Sequence, residues 1–127
     1  MIVNDPEVVS EFTALFEAYE IALMENDIMA LDGFFWQSPL ALRLGIGENL
    51  YGFDAITRFR LERRGGSPRR RITRAVLTTY GQDFATANVE FIRDGEARVG
   101  RQSQTWVRMA SGWRIVAAHV SLMAANS

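Results

Sequence analysis

The hydrophobic and polar positions change period along the chain. Val8, Phe12, Leu15, Phe16, Tyr19 and Leu23 recur at helical spacing and form one stripe. Ahead of them, Asp5 suits an N-cap, Pro6 the first helical position, and Glu7 the positive end of the helix dipole. A second, short helix is predicted from Asp27 to Gly33. A third runs from about Phe53 to Arg64 and is closed by Gly65-Gly66 and Pro68. Elsewhere the period is two. Leu40, Leu42, Leu44 and Ile46 alternate with Ala41, Arg43 and Gly45, and residues 70–80, 83–93, 96–108 and 113–123 read as four successive strands. Asp94-Gly95 and Ser111-Gly112 are hairpin turn signals. Helices followed by an antiparallel meander predict an α+β domain. A curved sheet wrapped around a helix makes a cone with one open mouth, a natural site for a small molecule.

Simple pairing of the last hairpins sorts the strand residues onto two faces. A turn at 110–112 sets Ser103 opposite His119 and Arg101 opposite Ser121. A turn near 94–95 sets Asn88 opposite Arg101 and Thr86 opposite Ser103. One face then carries Asn88, Glu90, Arg101, Ser103, His119 and Ser121. The other carries Val89, Phe91, Val116, Ala118 and Val120, with Gln102, Gln104 and Trp106. A polar face with convergent groups suits a ligand cavity and equally a solvated outer surface. A bulge would shift the pairing by one.

Composition narrows the chemistry. The 127 residues make a single domain, 1–127, with no repeat or linker, and 48% hydrophobic residues supply a core. The absence of cysteine excludes a disulfide framework, a thiolate metal site and a cysteine nucleophile. One histidine with scattered carboxylates gives no metal-ligand spacing, and there is no glycine-rich phosphate loop, so neither metal nor cofactor is expected. All fourteen basic residues are arginine, which removes lysine Schiff-base chemistry. The net charge of −1 is unevenly placed. Residues 1–42 hold acids and no base, whereas Arg58, Arg60, Arg63, Arg64, Arg69, Arg70, Arg71 and Arg74 crowd one segment with only Glu62. A nucleic-acid partner is disfavoured, because the chain is slightly acidic, only Phe59 interleaves with the arginines, and no nucleic-acid motif is present. The run reads as a solvated helix and loop. It could equally meet the acidic first helix or steer an anionic substrate. No apolar run reaches the roughly 18 residues of a membrane span. The first residues lack the basic and apolar regions of a signal peptide, so the cytoplasm is the expected location.

Three side chains carry candidate chemistry. Arg43 stands mid-strand in "LALRLGI", where a charge among apolar neighbours is costly unless paired. Its planar fork matches a carboxylate, supplied by a substrate or by Glu90; otherwise it faces outward. Tyr19 continues the stripe of the first helix, and a buried hydroxyl needs a partner, either a substrate oxygen or water. His119 can serve as acid, base or donor near neutral pH, with Ser103 and Ser121 beside it and Glu90 the nearest carboxylate. A satisfied structural histidine is the alternative. Gln104 enters the cone if a bulge intervenes, and Trp36 forms part of the wall or mouth.

The segments "LDGFFW", "PLALRLGIGENLYGFDAITRFR" and "GRQSQTWVRMASGWRIVAAHVSL" resemble the AtzH-like family, within the ketosteroid-isomerase-like superfamily of cone folds that includes SnoaL-like and nuclear-transport-factor-type domains. The resemblance covers essentially the whole chain. Its most specific part is the C-terminal segment; the cone by itself hosts many functions. The resemblance implies a strongly curved, mixed or antiparallel sheet packed on three N-terminal helices, usually in a homodimer joined through the convex sheet face. It implies a cofactor-free decarboxylating amidohydrolase that converts 1,3-dicarboxyurea to allophanate in cyanuric acid catabolism. The family's pocket tyrosine and first-strand arginine map onto Tyr19 and Arg43, with His119 as a third catalytic candidate. Trp36, Arg101, Ser103, Gln104 and Ser121 complete the expected substrate site. Related members resemble accessory proteins of oxalurate and purine-nitrogen catabolism, so a non-catalytic binding role beside an amidase partner is the alternative. True ketosteroid isomerases need a carboxylate base where the second helix leads into the first strand. That stretch here is Phe35-Trp36-Gln37-Ser38, which disfavours steroid isomerisation.

Overall fold

A computed structural model describes residues 1–125. Its helices begin where their caps lie. The Asp5 carboxylate accepts the Glu7 N–H and opens α1 (Pro6–Met24). Asp27 accepts the Ala30 N–H at 3.1 Å and opens α2 (Ile28–Phe34). The third helix, α3 (Phe53–Glu62), starts at Gly52, whose φ of 91° suits glycine. Among the described residues no helix is long and apolar enough to cross a membrane.

Six strands form one sheet: β1 (Leu42–Leu44), β2 (Asn49–Tyr51), β3 (Arg70–Tyr80), β4 (Phe84–Arg93), β5 (Gly100–Met109) and β6 (Gly112–Leu122), in the order β2-β1-β6-β5-β4-β3. β1 lies parallel to β6 and sets Arg43 beside Ala118; the other neighbours are antiparallel, so the sheet is mixed. The sequence pattern did not reveal β2, whose three residues are too few to show a period.

The predicted pairs Ser103–His119 and Arg101–Ser121 form. On β4, Asn88 pairs with Ser103 and Glu90 with Arg101, two residues from the expected partners. Moving a turn's centre by one residue moves every partner by two, which preserves the face. Two irregularities do change faces. Between Ile72 and Arg74 the β3 register shifts, so Arg70 and Ile72 share the inner side while Arg74 pairs with Glu90 on the outer side. Between Thr105 and Trp106 the β6 register shifts, so Ile115 rather than Val116 stands opposite Trp106 and fills the core.

The core lies between the concave sheet face and the helices. From α1, Val8, Phe12, Phe16, Tyr19 and Leu23 are buried as the helical stripe required. They meet Trp106, which no solvent reaches. Phe12 and Tyr19 approach its rings edge-on, at 5.4 and 6.3 Å between centroids, and Tyr19 also stands edge-on to Phe34 at 5.8 Å. A tyrosine wedged this way keeps few orientations.

Candidate functional site

The face holding four of the expected site residues is the outer one. Arg101, Ser103 and His119 are exposed and Ser121 is half-buried, with Asn88 and Glu90 beside them. Alternate residues of the same strands (Gln102, Gln104, Trp106, Ala118 and Val120) are buried against the helices. The expectation that His119, Arg101, Ser103 and Ser121 line the cone is therefore corrected. Successive strand residues point to opposite faces, and the helices cover the other one. Gln104 does lie inside, without needing a bulge. Its Oε1 accepts the Trp106 indole N–H at 3.0 Å, and its Nε2 has no partner. Trp36 is half-buried on the core, and its backbone N–H reaches the Ile115 carbonyl at 3.0 Å. Neither Gln104 nor Trp36 reaches the cavity described next.

That cavity opens near the ends of β4 and β6 and the start of β3, where Arg93, Val120 and Arg70 stand. Tyr19 and Leu23 come from α1, and Ile56, Phe59 and Arg60 from α3. Arg63, just past α3, and Arg43 and Gln102 from the sheet complete most of the wall. Ile56, Phe59, Arg60 and Arg63 recur at helical steps, so one face of α3 and its C-cap residue deliver two arginines inward. The free space is about 20 Å³, room for roughly one water. Tyr19 and Arg43, the two positions the resemblance singled out, thus share one cavity, and His119 lies across the sheet from it.

Five arginines surround this space, each over an aromatic ring. Phe59 carries Arg43 at 5.7 Å and Arg63 at 5.2 Å. Phe91 carries Arg70 at 4.5 Å and Arg93 at 5.8 Å. Arg60 lies 4.6 Å from the Phe35 centroid. The negative face of a ring steadies a guanidinium and leaves its edge donors free. Three of the five also hold carboxylates. Arg43 meets Glu48 at 2.9 Å rather than Glu90, the alternative protein partner. Arg60 meets Asp32 at 2.7 Å, and Arg70 meets Glu20 of α1. Asp32 also accepts the Thr57 hydroxyl at 2.6 Å, so α2 and α3 are tied through one carboxylate.

Arg63 and Arg93 have no ion-pair partner among the described residues, and Arg63 Nε is buried without a hydrogen bond. Burial is the main force lowering the pKa of each. The neighbouring charges of Arg43 and Arg60 add to it at Arg63, and those of Arg70 and Arg43 at Arg93, opposed in part by Glu48 at both and by Glu96 at Arg93. Burial likewise lowers Arg60, opposed by Tyr19 and Asp32. Arginine stays protonated in proteins, so these directions register stress on a charged form that has too few counter-charges. An anion entering the cavity would relieve it.

The arginine run reads from sequence as a solvated helix and loop or as a partner of the acidic first helix, and Arg70 meets that helix at Glu20. Arg58, Arg64, Arg69, Arg71 and Arg74 do face solvent. Arg60, Arg63 and Arg70 do not, and with Arg93 and Gln102 they are the site residues that reading missed. One signal was present: Arg60 and Arg63 fall on the same helical face as Ile56 and Phe59.

A sequence profile described as AtzH-like matches residues 1–126. Among solved structures, a protein of unknown function from the DUF3225 family of Pectobacterium atrosepticum is 51% identical, with a TM-score of 0.93 over 96% of this chain and 95% of that one. A cystatin-like fold protein from Burkholderia xenovorans is 46% identical, with a TM-score of 0.94 over 99% of both chains. A nuclear transport factor 2 (NTF2-like) superfamily protein from Salmonella enterica is 23% identical, with a TM-score of 0.77 over 95% of this chain and 94% of that one, a likeness of fold alone. Among curated proteins no match is found.

Proposed function

The chain belongs to the AtzH-like family, and from that premise we propose that it is a cofactor-free decarboxylating amidohydrolase. Its substrate in this reading is a small anionic ureido compound, 1,3-dicarboxyurea, and its product allophanate. The support is a single observation: Tyr19 and Arg43 line the same arginine-walled cavity. Arg43 spends one N–H on Glu48 and has further donors for a substrate carboxylate. The other N-carboxyl group leaves as carbon dioxide. As its C–N bond breaks, the electron pair returns to nitrogen and the Tyr19 hydroxyl supplies the proton. Water then reprotonates the phenolate, whose charge is held meanwhile by the nearby Arg60. The hydroxide left by that water combines with the carbon dioxide, so a dianion and one water give a monoanion and bicarbonate, overall a hydrolysis. His119 takes no part in this scheme, because its side chain is on the outer face.

The test is to generate 1,3-dicarboxyurea enzymatically in situ and to follow allophanate with this protein, with Arg43→Ala and without either. Acceleration that Arg43→Ala abolishes while the fold stays intact supports the reading. Equal turnover by wild type and Arg43→Ala ends the assignment of roles. The second reading, a non-catalytic binder of ureido acids working beside an amidase, is favoured by a cavity wall whose lining residues include no carboxylate or imidazole to act as a base. It predicts binding without turnover by the isolated chain and co-purification with an amidase. Pairing of two copies through the outer sheet face belongs to either reading, and light scattering on the purified protein measures it.

A further inference from the structure

The arginines around the cavity fall into two matched sets. On Phe59, Arg43 is neutralised by Glu48 while Arg63 is not. On Phe91, Arg70 is neutralised by Glu20 while Arg93 is not. Each ring therefore bears one paired and one unpaired guanidinium. Leaving two partly buried charges without an ion-pair partner costs stability, which their contacts with Phe59 and Phe91 offset only in part. Apolar or amide side chains at positions 63 and 93 would fill similar space without repulsion from Arg43, Arg60 and Arg70. Such locally unfavourable charge is a mark of a site shaped for a ligand rather than for folding.

We propose that Arg63 and Arg93 form a second anion clamp, which takes the other carboxylate of a doubly charged ligand whose first carboxylate lies on Arg43. This rests on the proposed function and adds to it the residues that choose by charge. A dianion satisfies both unpaired guanidiniums, whereas a monoanion on Arg43 leaves them bare. The same count governs release: a reaction that removes one carboxylate as carbon dioxide gives a product the clamp no longer grips.

Glutarate is the probe, since its five-carbon chain has the length of 1,3-dicarboxyurea and it cannot react. Monomethyl glutarate has the same length and one charge. Calorimetry on the wild-type protein is expected to show at least tenfold tighter binding of glutarate. Arg63→Gln and Arg93→Gln should each weaken glutarate about tenfold and leave monomethyl glutarate within about threefold, whereas Arg71→Gln, a change at an exposed arginine, should alter neither. Without ligand, Arg63→Gln and Arg93→Gln should melt at the same temperature as wild type or higher, because a strained charge has gone. Three results overturn the clamp: no glutarate preference in the wild type, an unchanged preference in the double variant, or a lowered melting temperature in both single variants, which would make the two arginines structural. The failure of the parent reading is separate. Glutarate preference through Arg63 and Arg93 without turnover of 1,3-dicarboxyurea removes the enzyme and keeps the clamp. Turnover with an unchanged KM in the double variant removes the clamp alone.

Discussion

The two faces of β4, β5 and β6 use similar residues to different ends. Outside stand Asn88, Glu90, Arg101, Ser103 and His119; inside, one residue away along the same strands, stand Gln102, Gln104 and Trp106. The outer side chains meet water. The inner ones are buried where the helices press on the sheet, and five arginines join them there on aromatic rings, three of them holding carboxylates. What the difference teaches is that polarity by itself does not mark a site. A polar side chain becomes chemically useful when apolar packing orients it and excludes the water that would screen it.

The strongest way to break this comparison is to unpair a charge inside. Asp32→Ala leaves Arg60 buried with no counter-charge and should cost about 3–5 kcal/mol in denaturant titration, whereas Glu90→Ala, which removes an exposed acid with no ion pair among the described residues, should stay within about 0.5 kcal/mol. A similar cost for both would mean that the inner pair is no better shielded than the outer face. Next comes chemistry. Tyr19→Phe keeps the edge-on packing against Trp106 and removes only the hydroxyl, so turnover of 1,3-dicarboxyurea should fall at least a hundredfold, about 3 kcal/mol, with melting little changed. A variant that keeps most of its activity denies Tyr19 the proton transfer.

A smaller effect is expected at the opposite end of the inner face, where Glu11 of α1 accepts hydrogen bonds from Arg108 at 2.7 Å and from the Trp113 indole at 3.0 Å. The Arg108 guanidinium holds the Glu11 carboxyl below its ordinary value of 4.5. A carboxylate whose folded-state pKa is lowered stabilises the fold above its unfolded value and loses that contribution as pH falls through the lowered one. Wild type should therefore exceed Glu11→Gln in stability at neutral pH, by under about 1 kcal/mol because the pair is largely exposed, and the gap should close in acid below 4.5. A gap that persists at lower pH would point to packing instead. The smallest effect belongs to His119→Ala, expected within about twofold in turnover and about 0.5 kcal/mol in stability. A large loss of activity there would return the outer face to the site.

Much of the framework was legible in the chain. The Asp5 and Asp27 caps, the stripe from Val8 to Leu23 and the strand register across Ser103 and His119 depend on neighbours in sequence or across one tight turn, and such interactions leave a period to read. The candidate site was legible in part. Tyr19 and Arg43 came from resemblance, and the structure gathers them into one cavity. Arg70 shows why the rest was hidden. Arg70 and Arg74 are four residues apart and would share a face of a regular strand. The register shift between Ile72 and Arg74 sends one inward onto Phe91 and the other outward. A similar shift exchanged Val116 for Ile115 in the core.

By itself, then, the sequence determined the helices, the two sets of alternating strand residues and the family. Local hydrogen bonding and hydrophobic period impose the first two, and long matching segments carry the third. Only the tertiary structure decided which set faces the helices, where the bulges fall, and which of the fourteen arginines are drawn inward. Those outcomes depend on how a curved sheet closes over α1 and α3. The energy that selects them is spread over contacts between residues distant in the chain, among them Arg70 with Glu20 and Arg60 with Asp32.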